Sequence, residues 1–177
     1  MRISIRNVVV SGLLAGMSIL LSRLAAIMIA GGTIRLSFGN IPIYMAGLMF
    51  GPVTGGLVGG VADLVGMLVN SFGAAFVPHI FLAAVLRGVI PPLVVRFLGE
   101  NNKVWPLKVF LAILLAEIAS GALLTTWGLA WLQKTPFTMV LVPRLIALAV
   151  QIPIYSMITV TLTLALRPLQ LQRSAGR

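Results

Sequence analysis

The chain has 177 residues, of which 59% are hydrophobic and 9% charged, and this composition excludes a soluble domain because too little polar surface is available to cover it. The net charge of +10 comes from thirteen scattered Lys and Arg residues, which indicates the positive-inside asymmetry of a membrane protein and excludes a nucleic-acid-binding face. The absence of cysteine excludes disulfides and thiolate catalysis, and one histidine with three acids offers no ligand set for a metal.

We therefore expect an all-α integral membrane protein, and the length suits a single domain of six transmembrane helices of roughly 20 residues each. The first span is predicted over about residues 7–30. Its start, MRISIRNVVVSG, has no small-residue cleavage site, which predicts a retained helix and not a signal peptide. Gly12 and Gly16 lie four residues apart on one face, which favours close approach of another helix, with packing inside the bundle as the simpler interpretation.

The stretch RLSFGNIPIYMAGLMFGPVTGGLVGGVADLVGMLVN, residues 35–70, organises the rest of the chain. A polar loop leads into a span at residues 40–50, which is too short to cross a hydrocarbon core of roughly 30 Å unaided. A Gly-Pro break then starts a glycine-rich span at residues 53–70. Polar and aromatic side chains at the mouth of this hairpin predict a small-molecule pocket at the membrane surface.

Three further spans are predicted over residues 79–98, 107–132 and 138–166. With both termini in the cytoplasm, only Arg35 and Lys134 lie outside, and three arginines lie within spans. This asymmetry predicts cytoplasmic termini. The basic residues on the cytoplasmic side are Arg2, Arg6, Arg96, Lys103, Lys108, Arg167, Arg173 and Arg177.

Charged side chains within spans cost at least about 2.5 kcal/mol, so each needs a partner, water or a function. Asp63 and Glu117 fall near mid-depth, and Arg87 and Arg144 fall at similar or slightly shallower depth. Asp63 with Arg87 and Glu117 with Arg144 are therefore predicted as ion pairs, and the exchanged pairing is equally allowed. Arg144, nearer the outer mouth, is a candidate either for a pair or for ligand contact.

Other candidates lie at the outer ends of the spans. Arg23 either reaches the lipid headgroups or points into the cavity. Arg35 is the best-placed cation for an incoming anion. His79 is interpreted first as a surface residue and second as a proton relay, and Trp127 is a candidate for stacking on a flat ring.

Five segments carry a resemblance to a known family: GLLAGMSILLSRL, the run RLSFGNIPIYMAGLMFGPVTGGLVGGVADLVG, PHIFLAAVLRG, LLTTWGLAWL and PRLIALAVQIPI. In this order, over nearly the full length, the chain resembles the substrate-binding S components of energy-coupling factor (ECF) vitamin transporters, and among them the folate family. The resemblance implies a pocket open to the outside in a bacterial cell membrane, with no catalytic activity and no covalently bound cofactor. It also implies an EcfT-like membrane subunit, docked on Gly12 and Gly16, and two ATP-binding subunits.

Carried over by position, the resemblance implies that nine residues contact the substrate. Folate members usually have Asn at position 125, Trp at 128 and Lys at 147, where this chain has Thr, Gly and Ala, so some polar pterin contacts are replaced. Folate remains the first choice, followed by pantothenate and then pyridoxine. The implied substrate-binding residues are Arg23, Arg35, Ser37, Phe38, Asn70, His79, Thr125, Trp127 and Arg144.

Two other functional classes are a membrane enzyme and a stand-alone carrier. A membrane enzyme needs paired acids, paired histidines or a nucleophile with its base, and the chain lacks these sets. A stand-alone carrier could couple protons through Asp63 or Glu117, but it would normally show two related halves. The stand-alone carrier is the alternative class that the sequence leaves open.

Overall fold

The structure is a computed structural model that describes residues 5–24, 27–29, 34–70, 76–99 and 104–174, with the backbone alone at 27–29, 34–36 and 167–174. Helices and one short hairpin make up the described regular structure. In chain order these elements are α1 Ile5–Arg23, β1 Ile27–Ile29, β2 Ile34–Leu36, α2 Asn40–Phe50, α3 Pro52–Val69, α4 Pro78–Phe97, α5 Trp105–Ala116, a π-helix Glu117–Thr125, α6 Thr126–Gln133 and α7 Phe137–Ser174.

The helices confirm the predicted membrane fold. Five helical segments are long and apolar enough to cross a membrane, and the shorter apolar helix Asn40–Phe50 completes the set of six. Helix α5, the π-helix and α6 follow one another without a break, so together they form one span. The cytoplasmic position of the termini stays a prediction. The five long segments are Ile5–Arg23, Pro52–Val69, Pro78–Phe97, Trp105–Gln133 and Phe137–Leu166.

The first helix ends earlier than predicted. Helix α1 ends at Arg23, and residues 27–29, which the sequence placed in the first span, form a strand instead. Strands β1 and β2 are antiparallel, with Ile27 opposite Leu36 and Met28 opposite Arg35. β-Branched isoleucines on both sides of a Gly-Gly pair are typical of a β-hairpin, and this local pattern outweighs the apolar character that suggested a longer helix.

Helices α2, α3 and α4 pack through their backbones. A β-carbon built at Gly55 would collide with the backbone of Gly88 and with Gly47, and one built at Gly59 would collide with the carbonyl of Ala84. Small residues allow such close approach, because no side chain separates the helix axes. The glycines of the third span therefore make close helix contacts within this bundle.

The π-helix interrupts the fifth span at a group of buried residues. Its residues Glu117, Ser120, Gly121 and Thr125 are all buried, and the Thr125 hydroxyl donates to the carbonyl of Ser120, five residues earlier, at 2.7 Å. π-Helices are rare and occur frequently at functional sites. The π-helix is therefore a candidate for part of a functional site.

Candidate substrate-binding site

A buried carboxylate is the centre of the polar interior. Glu117 begins the π-helix and is only 1% exposed. Its Oε1 accepts a hydrogen bond from Nδ2 of Asn40 at 2.9 Å and another from the hydroxyl of Tyr44. Both donors lie on α2, so the short helix that cannot span the membrane by itself is held against the π-helix by polar contacts.

An arginine from α4 balances this charge. Nε of Arg87 lies 3.5 Å from Oε1 of Glu117, and its Nη2 donates to Oγ1 of Thr125 at 3.4 Å. Removing two charges from water is costly, and the cost is offset only when attraction and further hydrogen bonds act together. Arg87 therefore pairs with Glu117, as the alternative pairing allowed, and the predicted pairing of Arg87 with Asp63 is wrong.

We call Asn40, Tyr44, Arg87, Glu117 and Thr125 the polar cluster. Sequence reasoning identified Arg87, Glu117 and Thr125 but missed the two α2 residues. An Asn and a Tyr four residues apart at the start of a short apolar helix were the available signal, because that spacing places both on one face.

The loop before α2 is hydrogen-bonded to two other helices, α1 and α7. The Tyr155 hydroxyl on α7 donates to the carbonyl of Ser37, and the Ser18 hydroxyl on α1 donates to the carbonyl of Gly39 at 2.7 Å. Phe38 packs against the core formed around Tyr44 and Tyr155. The predicted loop residues Ser37 and Phe38 thus lie just before α2, the helix that contributes Asn40 and Tyr44 to the polar cluster.

Arg23 lies against the end of α3. Its Nη1 donates to the carbonyl of Asn70 at 2.8 Å, and its Nη2 lies 4.0 Å from Oδ1 of Asp63. The guanidinium also covers Gly66, since a β-carbon there would lie 3.0 Å from Nε. Arg23 therefore closes the carboxyl end of α3, and Asp63 pairs with Arg23.

The predicted aromatic residues form a second group. The rings of His79 and Trp127 lie 5.3 Å apart between centroids, and His79 lies 6.4 Å from Trp131. Trp127 is 59% exposed, whereas its neighbour Thr125 is buried in the polar cluster. The structure therefore does not bring Trp127 and His79 into the polar cluster.

Two further arginines that the sequence predicted for the site, Arg35 and Arg144, lie on β2 and α7. Arg144 is partly buried on α7, and Glu117 pairs with Arg87, so the predicted pairing of Glu117 with Arg144 is wrong. Arg35 lies on β2 opposite Met28, and its side chain lies outside the described residues.

A family model described as the S component of an ECF-type riboflavin transporter matches residues 2–168 of the chain. The chain belongs to the ECF-type S components. Like its family, this S component is part of a membrane transporter and not an enzyme.

Two relatives add detail to this assignment. The S component is 32% identical over 128 residues to the folate transporter FolT of Clostridium novyi (strain NT). These aligned residues make up 71% of this chain and 70% of that protein. A crystal structure of FolT bound with folic acid matches with a TM-score of 0.73 and 28% identity, over 89% of this chain and 92% of the other. The fold expected from the sequence is thereby confirmed.

Proposed function

We propose that this S component binds folate at the outer face of a bacterial cell membrane and delivers it as part of an ECF-type transporter. The observation that carries the proposal is the match, across nearly the whole fold, to FolT with folic acid bound, together with the 32% identity to a second FolT. The family description names riboflavin, which makes riboflavin the competing vitamin.

The chemistry of the interior supports a ligand with a polar ring. A carboxylate, an arginine, an amide, a phenol and a threonine hydroxyl converge in the polar cluster. Convergent polar groups inside a mostly apolar protein are typical of ligand sites, because a few of them fix the orientation of the ligand. Folate combines a flat, hydrogen-bonding ring with carboxylates, so arginines near the outer mouth suit its other end.

Transport requires an energy source that we place in other subunits. We propose that an EcfT-like membrane subunit docks on α1 and that two ATP-binding subunits drive it. Gly12 and Gly16 support this arrangement, because a β-carbon at either position meets no atom within 4 Å. These glycines therefore face outward and leave room for a partner helix.

The vitamin is tested by purifying the S component in detergent, denaturing it and identifying the released small molecule by mass spectrometry. We expect folate or a reduced folate. Equilibrium binding of folic acid, riboflavin, pantothenate and pyridoxine to the emptied protein then ranks the four. Tight riboflavin binding without folic acid binding would overturn the proposal.

The partners are tested separately. Gly12→Leu should leave folic acid binding unchanged but reduce ATP-dependent uptake in cells that supply the coupling subunits. Met17→Phe is the matched control, since Met17 is also exposed on α1 but lies on a different side from the glycines. Equal uptake by both variants, or uptake driven by a proton gradient without ATPases, would contradict the docking proposal.

A further inference from the structure

The hydrogen bonds of Glu117 are distributed unevenly over its two oxygens. Asn40 and Tyr44 donate hydrogen bonds to Oε1, and Nε of Arg87 approaches the same oxygen, so the hydrogen bonds and the ion pair that the described residues make with this carboxylate fall on one oxygen. A carboxylate oxygen accepts up to two hydrogen bonds. The acceptor capacity that the described contacts do not use is therefore concentrated at Oε2.

Oε2 lies directly beside Gly121, one turn further along the π-helix. A β-carbon at Gly121 would collide with Oε2, and it would also lie 3.3 Å from Cδ2 of Leu148 and 3.6 Å from Nη2 of Arg87. Glycine inside a helix is unfavourable by about 1 kcal/mol relative to alanine. Glycine at position 121 leaves space for Oε2 between the side chain of Leu148 and the guanidinium of Arg87.

This position suits the leading edge of a ligand that enters from the outer end. Glu117 lies sixteen residues before Gln133, where the span ends, which is a distance of roughly 24 Å along the helix at about 1.5 Å per residue. Because Glu117 is only 1% exposed, a ring reaches Oε2 when the side chains around Gly121 move apart. Leu148, from α7, is the apolar neighbour that would then cover the ring face.

We propose that Glu117 determines vitamin specificity by accepting hydrogen bonds from the donor edge of the pterin ring, on its Oε2 side. This inference rests on the proposed folate function. The pterin edge presents an N–H and an adjacent amino group, and a carboxylate is a pure acceptor that matches such a pair. The corresponding edge of the riboflavin ring places its N–H between two carbonyl oxygens, which a buried carboxylate repels. Glu117 therefore selects folate against riboflavin.

The test combines a ligand change with a protein change. Folic acid and its 2-desamino-2-methyl analogue are titrated against the wild-type chain and Glu117→Gln, both emptied of ligand. We expect the wild type to bind the analogue about 30-fold more weakly than folic acid, because a charge-assisted hydrogen bond is lost. Glu117→Gln should bind folic acid more weakly than the wild type by a similar factor. The ratio of the affinities of this variant for the two ligands should shrink to about threefold or less.

Gly121→Ala provides a second variant that keeps both charges of the ion pair. Its methyl group would occupy the place beside Oε2, so folic acid binding should weaken at least about tenfold, while p-aminobenzoylglutamate, which lacks the pterin, should bind as it does to the wild type. Gly12→Ala is the matched control, since its β-carbon meets no atom within 4 Å.

The outcomes separate the two proposals. A wild-type chain that does not bind folic acid refutes the proposed function itself. A wild-type chain that binds folic acid and its analogue equally overturns the role of Glu117, even if Glu117→Gln fails to fold. The same conclusion follows if Glu117→Gln keeps the full difference between the ligands, or if Gly121→Ala binds folic acid normally.

Discussion

Helices are joined in two different ways on the two faces of α4. Toward α3, Gly88 touches the backbone of Gly55 with no side chain between them. Toward the π-helix, Arg87 reaches across to Glu117 and Thr125. Two adjacent residues of α4 thus make different kinds of contact. The contact of Gly88 depends on the absence of a side chain, and the contact of Arg87 depends on its charge.

The difference indicates where ligand chemistry can occur. The contact between Gly88 and Gly55 contains no polar side chain that could bind a ligand. Any side chain added there would collide with backbone atoms, which cannot rotate away. The polar cluster has acceptors and donors that can exchange partners, and the absence of a side chain at Gly121 lets Oε2 of the carboxylate pack directly against the π-helix. We therefore expect changes in the first region to alter stability alone, and changes in the second to alter both stability and vitamin selection.

The largest expected effect is from Arg87→Ala. Removing one partner of a buried ion pair leaves an uncompensated charge, which costs about 3 to 5 kcal/mol. The free energy of unfolding, measured by denaturant titration in mixed micelles without vitamin, should fall by this amount. The double variant Arg87→Met with Glu117→Gln should recover part of it, because neither side then carries a charge.

A different result would change the assignment of Arg87. If Arg87→Ala were as stable as the wild type and had lost only vitamin binding, Arg87 would be a ligand contact and not a structural partner of Glu117.

The next effect is from Gly88→Ala, which breaks the apolar contact. Its β-carbon would collide with the backbone of Gly55, so the helices must separate, at an expected loss of about 3 kcal/mol. Thermal unfolding in detergent should show a lower midpoint, whereas Gly12→Ala, in open space, should match the wild type. An unchanged midpoint in Gly88→Ala would show that α3 and α4 are less closely packed than described.

Arg23→Ala should have a smaller effect. It removes the hydrogen bond to the carbonyl of Asn70 and the pairing with Asp63, which should lower the free energy of unfolding by about 1.5 kcal/mol because the site is partly exposed. Arg23→Gln, which keeps a donor without the charge, is the control. Loss of vitamin binding without loss of stability would show instead that Arg23 contacts the substrate, as the resemblance implied.

The smallest effect expected is from Tyr155→Phe. The change removes the hydroxyl that donates to the carbonyl of Ser37 and should cost about 1 kcal/mol, confined to the loop before α2. Hydrogen exchange should increase at residues 38–40 and stay unchanged in α3. Faster exchange throughout the bundle would show that the contact stabilises the whole fold.

Much of the helical arrangement could be predicted from the sequence. Long apolar segments read as spans, because the bilayer leaves backbone groups no partner except those within a helix, and the Gly-Pro break before α3 was visible as a local signal. The β-hairpin was missed because its apolar residues extend the hydrophobic run of α1. Nothing in helical periodicity could have revealed the π-helix, since i→i+5 bonding leaves no pattern of its own in apolar residues.

The candidate site was less predictable than the fold. Glu117 and Arg87 were identified because charged side chains are conspicuous in an apolar segment, and Thr125 was identified through the resemblance. Asn40 and Tyr44 were missed because their importance comes from the helix that they face. Trp127 and His79 were placed with the other candidates because they lie at the outer ends of spans and because the resemblance implied them, and neither argument reports which side of a helix faces the bundle.

Composition and hydropathy alone determined that this chain lies in a membrane as a helical bundle, because the energy of exposing backbone and charge to lipid depends on residue types and not on their neighbours. Tertiary structure decided which arginine pairs with which acid, which oxygen of Glu117 is occupied, and which glycines touch backbone. Those outcomes depend on the rotation and approach of helices distant in sequence, and the pairing that lowers the energy of a buried charge is known only when all of its neighbours are in place.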